Sequence, residues 1–186
     1  MNISDRIAID KGGAAIALHT LTKTELEGYL SNAEQLAEGW VRSSGFKANR
    51  GEVCKLPDHD GSLSAVLIGL GDVSYDDDPW WLASAVSELQ SGTYRLDSQL
   101  DASSIAAAAR GWCLAQYTFD RYLSEKDDKV CILLLPKKVG LNAIQAEVKA
   151  TCLVRDLVNT PAEHMGPQEL EDVAETLCAE FDAKFN

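Results

Sequence analysis

Apolar residues along this chain fall into two alternating rhythms: short unbroken runs, and longer stretches with one apolar position every three or four residues. Ala14 to Leu18 is a short run that predicts a strand. Thr24 then offers a hydroxyl to cap a helix, and Leu26, Leu30, Ala33, Leu36, Ala37, Trp40 and Val41 recur at helical spacing as far as Gly45. Glu52 to Leu56 alternates, and Asp58-His59-Asp60-Gly61 carries turn chemistry. Leu63 to Leu70 is apolar almost throughout, as a strand covered on both faces should be.

The second half repeats the alternation. Asp78-Pro79 opens a short helix through Trp80, Trp81, Ala85 and Leu89, because proline suits the first helical position. Gly92 to Leu96 predicts a strand. A helix capped by Asp101 follows, with Ile105, Ala108, Trp112, Ala115, Phe119 and Tyr122 on its inner face. Val130 to Leu135 is another doubly covered strand, closed by Pro136. Leu141, Ile144, Val148 and Cys152 begin a helix that continues through Leu157, and Pro167 starts a last one with Leu170, Val173, Leu177 and Phe181 on one stripe. Strands alternating with helices predict an α/β fold of three layers, a mostly parallel or mixed sheet flanked by helices. The same alternation makes a strand due after Phe181, so the chain is expected to continue beyond Asn186.

Composition narrows the function. The net charge is −12, and the basic residues are scattered, so a phosphate-tracking surface is missing and nucleic acid is not expected as a partner. No apolar run approaches the ~20 residues of a membrane span, and Met1 to Lys11 lacks the apolar core of a signal peptide; a cytoplasmic location is expected. Cys54, Cys113, Cys131, Cys152 and Cys178 are odd in number, far apart and mostly on apolar periodic positions, which predicts buried free thiols. None of His19, His59 and His164 has a second histidine at metal spacing; His59 reads as an exposed turn residue and His164 as a surface or packing residue. The Asp76-Asp77-Asp78 run reads as a solvated loop. Gly69-Leu70-Gly71-Asp72 follows a buried strand and could approach a phosphate, but no third glycine opens a helix and Asp72 would repel the anion. A stand-alone nucleotide- or phosphate-binding module is the alternative that this loop keeps open.

The richest string is Arg155-Asp156-Leu157-Val158-Asn159-Thr160-Pro161, followed by Met165-Gly166-Pro167. Pro161 forbids helix continuation, Asn159 can close the helix on nearby backbone, and the adjacent Arg155 and Asp156 point to different sides. The string also resembles the domain-junction signature of the M17 leucyl aminopeptidases. Gly111-Trp112-Cys113-Leu114-Ala115-Gln116-Tyr117-Thr118-Phe119-Asp120-Arg121-Tyr122 is similar to a helix motif of that family, and Val66 to Gly71 to its strand ending in Gly-Leu-Gly.

The resemblance implies a macro-domain-like amino-terminal domain over residues 1–154. Residues 155–186 would be the junction and first helix of a catalytic domain. It further implies a parent enzyme that removes amino-terminal residues from peptides, uses two divalent metals, zinc or manganese, and assembles as a hexamer. The family's Asn-Thr-Asp-Ala-Glu-Gly-Arg metal motif does not occur in this sequence. No catalytic, cofactor-binding or metal-ligating residue is therefore assigned here, and the chain by itself is expected to be structural and inactive.

If the thiols are unbridged, a reducing agent should leave the thermal midpoint unchanged. A drop of several degrees would show a stabilising disulfide.

Overall fold

The computed structural model describes residues 2–72, 80–96, 100–125 and 129–185. Six strands form one sheet: β1 (Ile7–Ile9), β2 (Ile16–Thr22), β3 (Val53–Pro57), β4 (Leu63–Gly71), β5 (Gly92–Leu96) and β6 (Cys131–Leu135), in the order β1-β6-β5-β2-β4-β3. Every pairing is parallel except that of β3 with β4. The helices are α1 (Lys23–Asn32), α2 (Gln35–Ser44), the single turn α3 (Ala83–Val86), α4 (Ala102–Leu114), α5 (Leu141–Asn159) and α6 (Pro167–Glu180).

A parallel sheet must be covered on both faces, and the side-chain period of two sorts its residues accordingly. Leu18, Val66, Ile68, Tyr94, Leu133 and Leu135 point into the larger core with α3, α4 and the buried Ile144 and Val148 of α5. Leu21, Leu67, Cys54 and Leu56 point to the opposite face, where Leu26 and Leu30 of α1 and Val41 of α2 cover them. The molecule is thus a three-layer α/β structure with a mixed sheet, as the two doubly apolar runs predict.

Trp112 anchors the larger core. It is completely buried, tilts against the Tyr94 ring at 5.5 Å, and donates its indole N–H to the Cys131 carbonyl at 2.9 Å. Tyr94 in turn donates its hydroxyl to the Gln90 carbonyl at 2.6 Å, so both aromatic polar ends are satisfied. Burial pushes the Tyr94 phenol up to about 12. All five cysteines are free, and burial pushes the Cys113 thiol up to about 12 as well.

Four local readings need correction. The apolar run from Leu26 to Val41 is two helices, because Ala33 and Glu34 are both extended; Thr22 caps the first, in a reciprocal box with Glu25, and Thr24 does not. The helix from Asp101 stops at Leu114, although Asp101 caps it as expected through the Ser103 and Ser104 amides. Phe119 and Tyr122 therefore lie on an irregular segment, the first half-buried and the second 48 % exposed. Strand β1 escapes the hydrophobic pattern because three residues between Arg6 and Asp10 are too short to show one. It is nevertheless fixed at the sheet edge by β6 and by the Asp10 carboxylate, which Arg95 of β5 meets at 2.6 Å. The short helix read through Trp80 to Leu89 is a single turn, with Trp81, Ala85 and Leu89 buried and Trp80 exposed. Its proposed start, Asp78-Pro79, and the Asp76-Asp77-Asp78 run lie outside the described residues.

These positions separate two aromatic substitutions that the sequence alone treats alike. Trp112→Ala should cost about 3–5 kcal/mol, and Phe119→Ala about 1 kcal/mol. Chemical denaturation of both variants checks this; equal losses would place Phe119 in the core after all.

Candidate functional site

The two richest sequence motifs meet in space. One is the segment that leaves α4, the other the last two turns of α5. Gln116 starts the connection. Its amide N–H donates to the Trp112 and Cys131 carbonyls, and its oxygen accepts from the Cys131 N–H at 3.0 Å, so it closes the unpaired start of β6. The chain is then turned toward α5, where three residues hold Tyr117. Its hydroxyl donates to Asp156 Oδ1 at 2.6 Å and accepts from Asn159 Nδ2 at 3.3 Å, while the Arg155 guanidinium lies 5.3 Å from its ring centre. Arg155 also donates to the Leu114 carbonyl at 3.2 Å, a last-turn carbonyl of α4 that favours a cation.

The roles differ from those the sequence suggests. Arg155 and Asp156 do leave α5 in different directions, yet both end on Tyr117, one over the ring and one on the hydroxyl. Asn159 bonds to that phenol and not to backbone. Thr160 closes the helix instead, its hydroxyl and amide both donating to the Asp156 carbonyl. His164 packs: its ring stacks on Tyr122 at 5.5 Å, and its Nδ1 lies 2.7 Å from the Tyr122 hydroxyl. His59 is an exposed turn residue whose backbone N–H is taken by the Asp58 carboxylate. Pairing of the two motifs could not be read from either one, since about forty residues separate them; the Tyr-x-Phe-x-x-Tyr spacing was the available signal, and it read as a helix stripe.

Beside this junction lies a cavity of about 760 Å³, bordered by Arg6, Gln116, Tyr117, Asp120, Lys129 and Asp156 among others. The Gly69 to Asp72 loop, by contrast, has no amide to spare at its glycines. Gly69 N–H donates to the Glu52 carbonyl and Gly71 N–H to the Ala48 carbonyl. A Cβ at Gly69 would sit 2.2 Å from the Asn49 carbonyl oxygen, so that glycine serves close backbone packing. Asp72 is paired with Lys23 at 2.7 Å. Nothing in this loop favours a phosphate ligand. Among the described residues, no group of three or more His, Cys, Asp or Glu side chains is placed to hold a metal ion. The donors among the described residues thus do not fit a two-metal centre.

A parallel-rich sheet with helices on both faces and a tyrosine-locked helix exit defines the class; comparison with known proteins defines the family. A family model described as the M17 aminopeptidase, N-terminal domain, matches residues 16–136. The chain belongs to that family. It is 26 % identical over 172 residues to a probable cytosol aminopeptidase of Corynebacterium efficiens, covering 86 % of this chain and 34 % of that protein. The crystal structure of the cytosol aminopeptidase from Coxiella burnetii superposes with a TM-score of 0.82 at 29 % identity, over 97 % of this chain and 39 % of that one. The bottromycin maturation enzyme BotP in complex with Mn gives a TM-score of 0.66 at 25 % identity, over 90 % and 37 %. The chain spans about a third of the length of the curated relatives it matches. No helix among the described residues is long and apolar enough to cross a membrane.

Burial, with the Asp156 carboxylate, raises the Tyr117 phenol above its ordinary value. A raised folded pKa contributes stability that is complete below the unfolded phenol's value near 10 and is lost as pH rises through the folded value. Tyr117→Phe should cost about 1 kcal/mol at neutral pH. The gap between wild type and Tyr117→Phe should then shrink above about pH 10. A gap that widens with alkaline pH would mean the hydroxyl is not held by Asp156.

Proposed function

We propose that this chain is the amino-terminal, non-catalytic part of a longer metal-dependent aminopeptidase that removes amino-terminal residues from peptides in the cytoplasm. On this reading residues 1–154 form the macro-like domain. Residues 155–186 are the junction and the first helix of the catalytic domain, which would hold two divalent ions, zinc or manganese. The full-length protein would assemble as a hexamer. The observation that carries the reading is the fit over 97 % of this chain to only 39 % of a cytosol aminopeptidase.

The surface of the carboxy-terminal helices supports it. Helix α6 buries none of its residues, and Leu170, Leu177 and Phe181 are exposed, as are Val154 and Val158 on α5. Val158 is 77 % exposed. Large apolar side chains exposed on both helices support a surface that another domain would cover. The chemistry would belong to the covering part, where several converging carboxylates would hold divalent ions able to activate a peptide carbonyl and water at neutral pH. The role of this chain is to hold α5 rigidly where it enters that part.

Calorimetric titration with manganese, beside a leucyl-p-nitroanilide assay, tests the reading on this chain and on a longer chain in which it runs into a catalytic domain. This chain alone should give no turnover and no saturable isotherm, and the longer chain should give both. A one- or two-site isotherm with metal-dependent turnover from residues 1–186 alone would overturn the proposal.

A further inference from the structure

Helices α4 and α5 both follow parallel strands across the larger core, so they lie side by side and run in the same direction. Two contacts fix their register. Arg110 Nη1 meets Glu147 Oε2 at 2.9 Å, and Arg155 donates to the Leu114 carbonyl at 3.2 Å. Cys113 and Cys152 fall between those contacts, the first one residue before Leu114 and the second one turn before Arg155. Cys113 is completely buried in the larger core, and Cys152 packs against the same core. Among the described residues, Cys152 is the thiol whose charge is felt at Cys113. The other three are placed elsewhere: Cys54 is in the opposite layer, the Cys131 thiol donates to the Gln90 carbonyl at 3.2 Å, and Cys178 is on α6.

The two thiols differ in access. Cys152 borders the 760 Å³ cavity beside the junction, while Cys113 has no exposed surface and does not. Burial pushes the Cys113 thiol up to about 12, against the opposing charge of Arg6. Burial raises the Cys152 thiol as well, and the Arg155 charge pulls it back. An oxidant arriving from solvent therefore meets Cys152 first.

We propose that Cys152 is an oxidation site for small hydroperoxides, with Cys113 as its resolving thiol. The Cys152 sulfur attacks the terminal peroxide oxygen, the O–O bond breaks, and the leaving oxygen takes the thiol proton to become an alcohol or water. Cys152 is then a sulfenic acid. The Cys113 sulfur attacks it, the S–O bond breaks, and the hydroxyl leaves with the Cys113 proton as water. The cysteine pair gives up two electrons and the peroxide accepts them. The new bond ties α5 to α4 one turn before Arg155, so oxidation locks the exit helix covalently. Because burial keeps Cys152 protonated, it answers sustained peroxide and not a passing trace. The inference stands independently of the aminopeptidase reading.

Hydrogen peroxide, added to the folded chain, is the probe. Trypsin separates the two thiols, because Gly111–Arg121 carries only Cys113 and Ala150–Arg155 only Cys152. Non-reducing peptide mapping should show these two peptides joined, lighter than their sum by two hydrogen atoms, as the main product. In Cys113→Ser, dimedone should trap a sulfenic acid on Cys152; in Cys152→Ser, Cys113 should stay reduced. Should either variant fail to fold, the joined peptides of wild type decide alone. In the oxidised wild type, the amides from Cys152 to Thr160 should exchange about threefold more slowly, or slower still, than in the reduced protein. A different pair of cysteines joined, dimedone on Cys113 ahead of Cys152, a Cys113 and Cys152 both left reduced, or equal exchange in the two forms would overturn the proposal.

Discussion

The hold on Tyr117 is the interaction on which the arrangement of the carboxy-terminal half depends. A helix that exits a sheet domain must be fixed at its far end, or its last turns fray as any helix terminus does. Here the ring and hydroxyl of one tyrosine are gripped by adjacent residues of α5, with Asn159 as a third contact. The grip reaches the sheet because Gln116, the residue before the tyrosine, holds both backbone groups of Cys131 at the start of β6. From Cys131 the chain of contacts runs to Trp112 and Tyr94, the largest fully buried side chains. Core, strand end, connecting segment and exit helix therefore form one mechanical path.

That path explains why α4 ends where it does. The sequence periodicity continues to Tyr122, and neither glycine nor proline lies between Leu114 and Tyr122. The helix ends at Leu114 because Gln116 and Tyr117 gain tertiary partners that helical geometry would deny them, and because Arg155 takes the Leu114 carbonyl. Local propensity is a weak prior, and these side-chain bonds outweigh it. At the break between α1 and α2 the apolar spacing likewise persists through Leu36 and Trp40, yet both are exposed. Periodicity reported the helices but not their ends.

The layers, by contrast, were legible. Val130 to Leu135 and Leu63 to Leu70 are continuously apolar for the physical reason that both faces of a parallel sheet are covered, and β6 and β4 fall on those runs. The fold class and the family followed from those runs and from three motifs. The candidate site was legible only in pieces: both motifs stood out, while their contact across about forty residues did not. Arg6 gave no signal at all, because a single arginine in a polar amino-terminal stretch reads as surface. Burial of its guanidinium is a consequence of how the 3-10 turn packs on α4 and α5, which no local pattern records.

The central claim is that the junction motif works as a clamp on the end of α5. Amide hydrogen exchange in an Arg155→Ala variant tests it most directly. The amides from Cys152 to Thr160 should exchange faster by an order of magnitude or more, while those around Val148, buried in the core, keep wild-type protection. Unchanged protection at Cys152 to Thr160, or an equal loss along the whole of α5, would contradict the clamp.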